Sequence, residues 1–208
     1  GNTNSKFQDE KTYFKPISPY AISKLHAHWM LALYRSAYNL YCCSGILFNH
    51  ESPLRGGEFV SKKIVTELVK VKLKKASCLY LGNIYAKRDW GYAVDYVEAM
   101  WKMLQQKVAD DYVISSGINR TVKAFVNEVA KNLKLEIKWV GKGLNERALN
   151  IENRKVIIRI KKDFFRPIEI KSTYGNSGKA KKILKWSPNT NFNSLVKIMC
   201  DKELEKYK

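Results

Sequence analysis

The sequence predicts an α/β fold with a mainly parallel sheet. Three observations carry this. Segments with helical apolar spacing alternate with strand-like segments along the chain. The run YCCSGILFN at 41–49 is nearly all apolar and too short for a separate helix, which is the habit of a strand buried on both faces of a parallel sheet. The polar stretch HESPLRGGE at 50–58, with a proline and two glycines, then separates that strand from the next helix.

The elements follow in order. A helix is expected over 19–40, with Tyr20, Leu25, Trp29, Leu33, Tyr34 and Ala37 at apolar positions, Ser18 as cap and Pro19 in the first turn. A second amphipathic helix spans 59–74, with Phe59, Ile64, Leu68 and Val71 on one side. CLYLG at 78–82 is a short strand, RDWG at 88–91 a turn, and 93–106 a helix. DYVISS at 111–116 is a strand, and Thr121 caps a helix reaching about residue 134. EIKWV at 136–140 is a strand, GKGLNERALN at 141–150 a polar loop, and VIIRI at 156–160 a strand. SGKAKKIL at 177–184 starts a short helix with Ser177 as cap, and a terminal helix begins at Ser194. No internal repeat or low-complexity segment interrupts the pattern.

Composition narrows the class. The 208 residues are 45% hydrophobic and 27% charged, as in ordinary folded proteins. No apolar run reaches the roughly 20 residues of a membrane span, and the polar N-terminus lacks a signal-peptide core. Both features lead us to expect a cytoplasmic protein with no membrane partner. Cys42, Cys43, Cys78 and Cys200 form no CxxC pair and are expected as buried, reduced thiols. With His26, His28 and His50 they supply no zinc-ligand cluster. The net charge of +19 raises nucleic acid as a partner. The lysines are spread from Lys6 to Lys208 without an RNA-binding aromatic motif, so a solvated basic surface is the plainer reading.

SPYAISK at 18–24 places Tyr20 and Lys24 four apart at a helix start. Such residues share a helix face, and an ammonium beside a phenol favours the phenolate. A tyrosine so placed can exchange a proton with a substrate hydroxyl. The YxxxK spacing is common and weak by itself. The Gly-rich turn that opens a doubly wound nucleotide-binding fold is not in this sequence; the two glycines of RGGE lack the third.

Context strengthens the pair. The helix with YxxxK, followed by the strand ending at Asn49, resembles the active-site helix of extended short-chain dehydrogenases/reductases. The stretch SPYAISKLHAHWMLALYRSAYNLYCCSGILFNHESPLRGGEFVSKKI is similar to the GDP-mannose 4,6-dehydratase family. So are LGNIYAKRDWGYAVDYVEAMWKMLQQ, FFRPIE at 164–169 and GKAKKILKWSP at 178–188. The resemblance covers essentially the whole chain, and FNHESPLRG with LGN, RDWG and DYV is far more specific than YxxxK.

The resemblance implies a partial Rossmann-like, doubly wound parallel sheet with a smaller α/β substrate-binding domain. Residues 1–57 are expected to be the remainder of the NADP-binding domain. Residues 58–208 are expected to bind mainly the GDP-sugar, with about 78–100 returning to the Rossmann sheet. The family converts GDP-mannose to GDP-4-keto-6-deoxy-mannose and water. Hydride passes from sugar carbon 4 to NADP, a glutamate takes the carbon 5 proton, water leaves carbon 6, and the hydride returns there. By this resemblance the chain starts just after the family's Ser/Thr and Glu and after the cofactor turn. It is then expected to be inactive alone, with an exposed sheet edge. The family commonly forms dimers or tetramers, with the Tyr-bearing helix between subunits.

Residue by residue, the resemblance makes Tyr20 the base of the first step and Lys24 its partner, both also at the NADP. His50 and Arg55 match NADP contacts, and Arg55 suits a phosphate because its planar fork spans two oxygens. Asn49, Lys63, Gly82, Asn83, Arg88, Arg166 and Glu169 match contacts to GDP-mannose, with Arg88 and Arg166 at the diphosphate and Glu169 at sugar hydroxyls. Plain structural readings stand beside these: an ordering hydrogen bond for His50, and ion pairs for Arg88 with Asp89 and for Arg166 with Glu169. The chain departs from the family at RGGEFVSKKI, where RGETFVTRKI is usual, and at Tyr92, where histidine is usual. Other readings also stay open: a GDP-sugar-binding remnant, half of a split enzyme, or a sister dehydratase, epimerase or reductase.

Overall fold

The computed structural model describes residues 1, 3, 5–165, 168–170 and 172–208. In chain order its elements are α1 (Pro19–Tyr38), β1 (Ser44–Leu47), β2 (Asn49–Glu51), α2 (Val60–Lys72), β3 (Leu79–Leu81), β4 (Lys87–Tyr92), α3 (Ala93–Leu104), β5 (Asp111–Ile114), β6 (Asn119–Thr121), α4 (Val122–Asn132), β7 (Ile137–Val140), β8 (Arg147–Asn150), β9 (Val156–Ile160), α5 (Gly178–Ile183) and α6 (Phe192–Glu205). The chain forms two compact units. The first is Gly1–His50, Arg88–Asn119 and Ile170–Thr190; the second is Glu51–Lys87, Arg120–Glu169 and Asn191–Lys208.

In the first unit β1 and β5 run parallel, Ser44 opposite Asp111 and Leu47 opposite Ile114. Its core is Tyr96, Ala99 and Met103 of α3, Tyr112 and Ile114 of β5, and Ala180, Leu184 and Trp186 around α5. The fully buried Trp186 keeps its indole N–H satisfied by donating to the Asp95 carbonyl at 2.8 Å. Burial of so large a ring requires such a partner. Glu10 closes part of the sheet edge by accepting from the Val113 amide at 2.8 Å.

The second unit holds a four-stranded sheet in the order β3-β9-β8-β7. β3 and β9 are parallel, whereas β8 is antiparallel to both β7 and β9. α2, α4 and α6 pack on one another. Their apolar faces, with Ile64, Leu68, Phe125, Val129, Leu195 and Met199 buried, form the core with Leu79 and Ile158. Thr121 caps α4 by accepting from the Ala124 amide at 3.0 Å, as its position predicts.

Several expectations change. RDWG is not a turn but lies inside β4, with Asp89 and Trp90 buried. Residues 147–150 of the expected polar loop form β8, because alternate residues Ala148 and Asn150 turn into the core. The terminal helix starts at Phe192, since Asn191 accepts from the Ser194 amide at 2.9 Å and outcompetes Ser194 as cap. Ser177 makes no side-chain cap to α5, its hydroxyl donating instead to the Ser115 carbonyl. The run at 41–49 is not buried on both faces. Only Ser44 of β1 is buried, and Gly45 is exposed. All four thiols are free, but only Cys200 is buried; Cys42, Cys43 and Cys78 are half-buried. No residue of α1 is buried, and the apolar positions Trp29, Leu33 and Tyr34 lie open.

Candidate active site

Local sequence builds the first unit's part. The Ser18 hydroxyl accepts from the Ala21 amide at 3.1 Å, and Pro19 occupies the first helical position, so α1 begins one residue before Tyr20. Lys24 lies one turn on. Its ammonium is 5.5 Å from the Tyr20 ring centroid, and the tyrosine is 72% exposed. The pair is thus together on one side of the helix, with the tyrosine open to solvent.

Asn49 and His50 are half-buried on β2. The His50 Nδ1 lies 2.9 Å from the Phe48 carbonyl, and its ring centre is 5.5 Å from that of Tyr96. A carbonyl can only accept, so this contact places the proton on Nδ1 and makes Nε2 the acceptor nitrogen of the neutral ring. Arg88 is half-buried on β4 and donates to the Ile170 carbonyl at 2.7 Å. Next to it the Asp89 carboxylate is fully buried. It accepts from the Ser116 amide and hydroxyl at 2.8 and 2.6 Å and from the Gly117 amide at 2.9 Å. Burial pushes its carboxyl above the usual range, and these donors pull it back only in part.

In the second unit Glu51 is buried, accepts from the Ser61 hydroxyl at 2.6 Å, and lies 3.3 Å from the Arg55 Nε. The Arg55 guanidinium is stacked 3.5 Å above the Phe59 ring. A carboxylate at its base and an aromatic beneath it hold the fork in one orientation. The Ser61 hydroxyl is thus part of this arrangement. Lys62 donates to Glu203 of α6 at 2.6 Å and to the Pro53 carbonyl at 2.8 Å.

Lys63 points its ammonium at the Phe164 ring, 3.6 Å from the centroid, and burial lowers its pKa despite Glu67. Gly82 permits a close backbone approach, because a Cβ there would overlap the Phe164 carbonyl. The Asn83 amide nitrogen donates to Glu169 at 2.8 Å, and its oxygen accepts from the Tyr85 amide at 3.0 Å. Gly82, Asn83 and Glu169 are therefore tied into one group, with Lys63 at Phe164 beside Gly82. Arg166 lies outside the described residues.

A family model described as GDP-mannose 4,6 dehydratase matches residues 1–199. The chain belongs to the GDP-mannose 4,6-dehydratase family. A GDP-mannose 4,6 dehydratase of Dictyostelium discoideum is 46% identical over 201 residues, spanning 97% of this chain and 56% of that protein. GDP-mannose 4,6 dehydratase 1 of Arabidopsis thaliana is 48% identical over 198 residues, 95% of this chain and 50% of that protein. The Homo sapiens enzyme is 43% identical over 198 residues, 95% and 53%. The chain thus spans about half the length of the curated relatives it matches. Among solved structures, RMD from Pseudomonas aeruginosa complexed with NADPH superposes with a TM-score of 0.79 at 17% identity, covering 96% of this chain and 60% of that one. A dTDP-glucose 4,6-dehydratase from Bacillus anthracis in complex with NAD gives 0.77 at 19%, covering 97% and 57%. These likenesses show a shared α/β fold.

Within this GDP-mannose 4,6-dehydratase family member, sequence reasoning missed a second polar group in the second unit. The Glu146 carboxylate, 3% exposed, accepts from the Tyr85 hydroxyl and from the Lys123 ammonium, each at 2.7 Å. Burial alone would raise its pKa, but the Lys123 and Tyr85 hydrogen bonds outweigh it and hold the carboxyl below the usual range. Glu146 in turn holds the Tyr85 phenol above its usual range. No spacing announces this group, because its members come from three separate segments. Among the described residues, no cluster of His, Cys, Asp and Glu could hold a metal ion, and no helix is long and apolar enough to cross a membrane.

Proposed function

We propose that this chain is the nucleotide-sugar-binding portion of a GDP-mannose 4,6-dehydratase and contributes the tyrosine of its first proton transfer. The observation that carries the reading is the family match over residues 1–199, on a chain whose Tyr20 and Lys24 stand together on an exposed, Ser18-capped helix start. In this reading Tyr20 accepts the proton of the sugar 4-hydroxyl. The Lys24 ammonium favours the phenolate that does so. Arg88 and Arg166 bind the diphosphate, Asn49 and Lys63 contact the substrate, and Asn83 and Glu169 hold the nucleotide and sugar hydroxyls. Burial lowers the Lys63 pKa, and an anionic partner would favour its charged form.

Features within each unit support a nicotinamide dinucleotide as the cofactor in this reading. In this reading Lys24, beside Tyr20, holds ribose hydroxyls, and the stacked Arg55 fork suits a phosphate. His50, with its Nδ1 engaged, offers Nε2 as an acceptor. NADP, when bound, would supply the hydride acceptor and donor that this redox-neutral dehydration needs. We place the protein in the cytoplasm. We also propose that it works as a homodimer or homotetramer, a reading supported by the open apolar face of α1.

The experiment is Tyr20→Phe in the protein as its gene encodes it, assayed with GDP-mannose. Loss of the acid–base group should lower kcat by about 10² to 10⁴-fold with little change in substrate binding. Near-normal turnover would remove Tyr20 from the role.

A further inference from the structure

Tyr85 is an exposed aromatic ring without an assigned role. It follows Asn83 by two residues in the connection between β3 and β4, and 56% of its surface is open. Its hydroxyl is nevertheless anchored, donating at 2.7 Å to a carboxylate that is itself buried and ion-paired with Lys123. The Lys123 ammonium also lies 5.6 Å from the ring centroid. The backbone on either side is pinned as well. The Tyr85 amide donates to the Asn83 side chain at 3.0 Å. The Lys123 and Val122 amides, at the start of α4, donate to the Ile84 and Ala86 carbonyls at 2.8 and 3.0 Å.

A tyrosine in a surface loop ordinarily keeps its rotamer freedom and pays for any ordering when a ligand binds. This ring is already ordered, while more than half of it stays open. A fixed, open ring is a stacking surface for a planar heterocycle, which presents a π-face whatever its sequence of polar edges. The same loop carries Asn83, bonded to Glu169, so polar groups able to meet a purine's edge or a ribose lie close by.

Resting on the reading that this chain binds a guanosine diphosphate sugar, we propose that Tyr85 is a base-contacting residue, its ring forming one wall against the guanine and held there by Glu146 and Lys123. The ring contributes contact area, and the ion pair of buried Glu146 with Lys123 contributes preorganisation.

The test is calorimetric titration of GDP into the protein as its gene encodes it, beside Tyr85→Ala, Tyr85→Phe and Tyr85→Trp. Removing the ring should weaken GDP about tenfold, as for loss of one base–aromatic stack. Tyr85→Phe keeps the ring without its anchor and should lose less. The Tyr85→Trp protein, compared with wild type, should show indole emission quenched by GDP and unchanged by mannose 1-phosphate, a signature that a structural role would not give. This variant also serves if Tyr85→Ala fails to fold. Equal GDP affinity in wild type and Tyr85→Ala, or a tryptophan at 85 that responds to mannose 1-phosphate and not to GDP, overturns the proposal. A wild-type protein that binds neither GDP nor GDP-mannose overturns the functional reading, and this proposal with it.

Discussion

Glu146 is a carboxylate that no motif marks, yet it joins three segments of the second unit. Its charge is favoured in the folded state because Lys123 and Tyr85 both donate to it. The folded pKa is depressed, so its stabilising contribution is complete above the unfolded value of about 4.3 and is lost as pH falls through the lower, folded value. Acid unfolding followed by circular dichroism should therefore show wild type losing more stability than Glu146→Gln between about pH 5 and pH 3. Equal slopes would mean that the carboxylate is not charge-paired in solution. Residues of this kind were illegible from sequence, since burial and partners across 61 positions of separation leave no spacing to read. Tyr20 and Lys24 were legible, because a helix turns four residues into one face by local geometry alone. His50 was half legible. Its ordering hydrogen bond could be anticipated, but the Phe48 carbonyl as the acceptor could not.

Among the elements, helices with side-chain caps were read most surely. Ser18 and Thr121 fix helix starts by bonds within four residues of chain. RDWG was misread because Asp89 and Gly91 are turn-formers by propensity. In the fold, Ser116 and Gly117 supply donors to Asp89, and Gly91 admits the Tyr96 ring where a Cβ would overlap it. Tertiary contacts therefore override the local preference. α1 raises the opposite issue. Its apolar spacing was correctly seen, yet the described residues bury none of it, with Ile22, Trp29, Leu33 and Tyr38 all exposed. Such a face in water favours association. Leu33→Glu, which leaves Tyr20 and the cap untouched, should shift the protein toward monomer in multi-angle light scattering, while Leu33→Met should not. An unchanged mass for the glutamate variant would contradict a subunit contact through α1.

Across the whole molecule, the sequence-level expectation of an α/β protein with a parallel sheet holds in β1 with β5 and in β3 with β9. The antiparallel β7-β8-β9 run was harder to see, because β8 is a four-residue strand in a largely polar stretch and one of its two buried positions is the polar Asn150. The net charge of +19 left several partner classes open, and it was the family match, not the charge, that narrowed them. The basic surface suits an anionic nucleotide sugar, and its effect on association should weaken with added salt. The most direct measurement is mass spectrometry of GDP-mannose incubated with the protein as its gene encodes it, with NADP present. The account predicts a product lighter by one water and bearing a keto group, with no net consumption of NADP. Unaltered GDP-mannose with a properly folded protein, or a product of unchanged mass as from an epimerase, would contradict it.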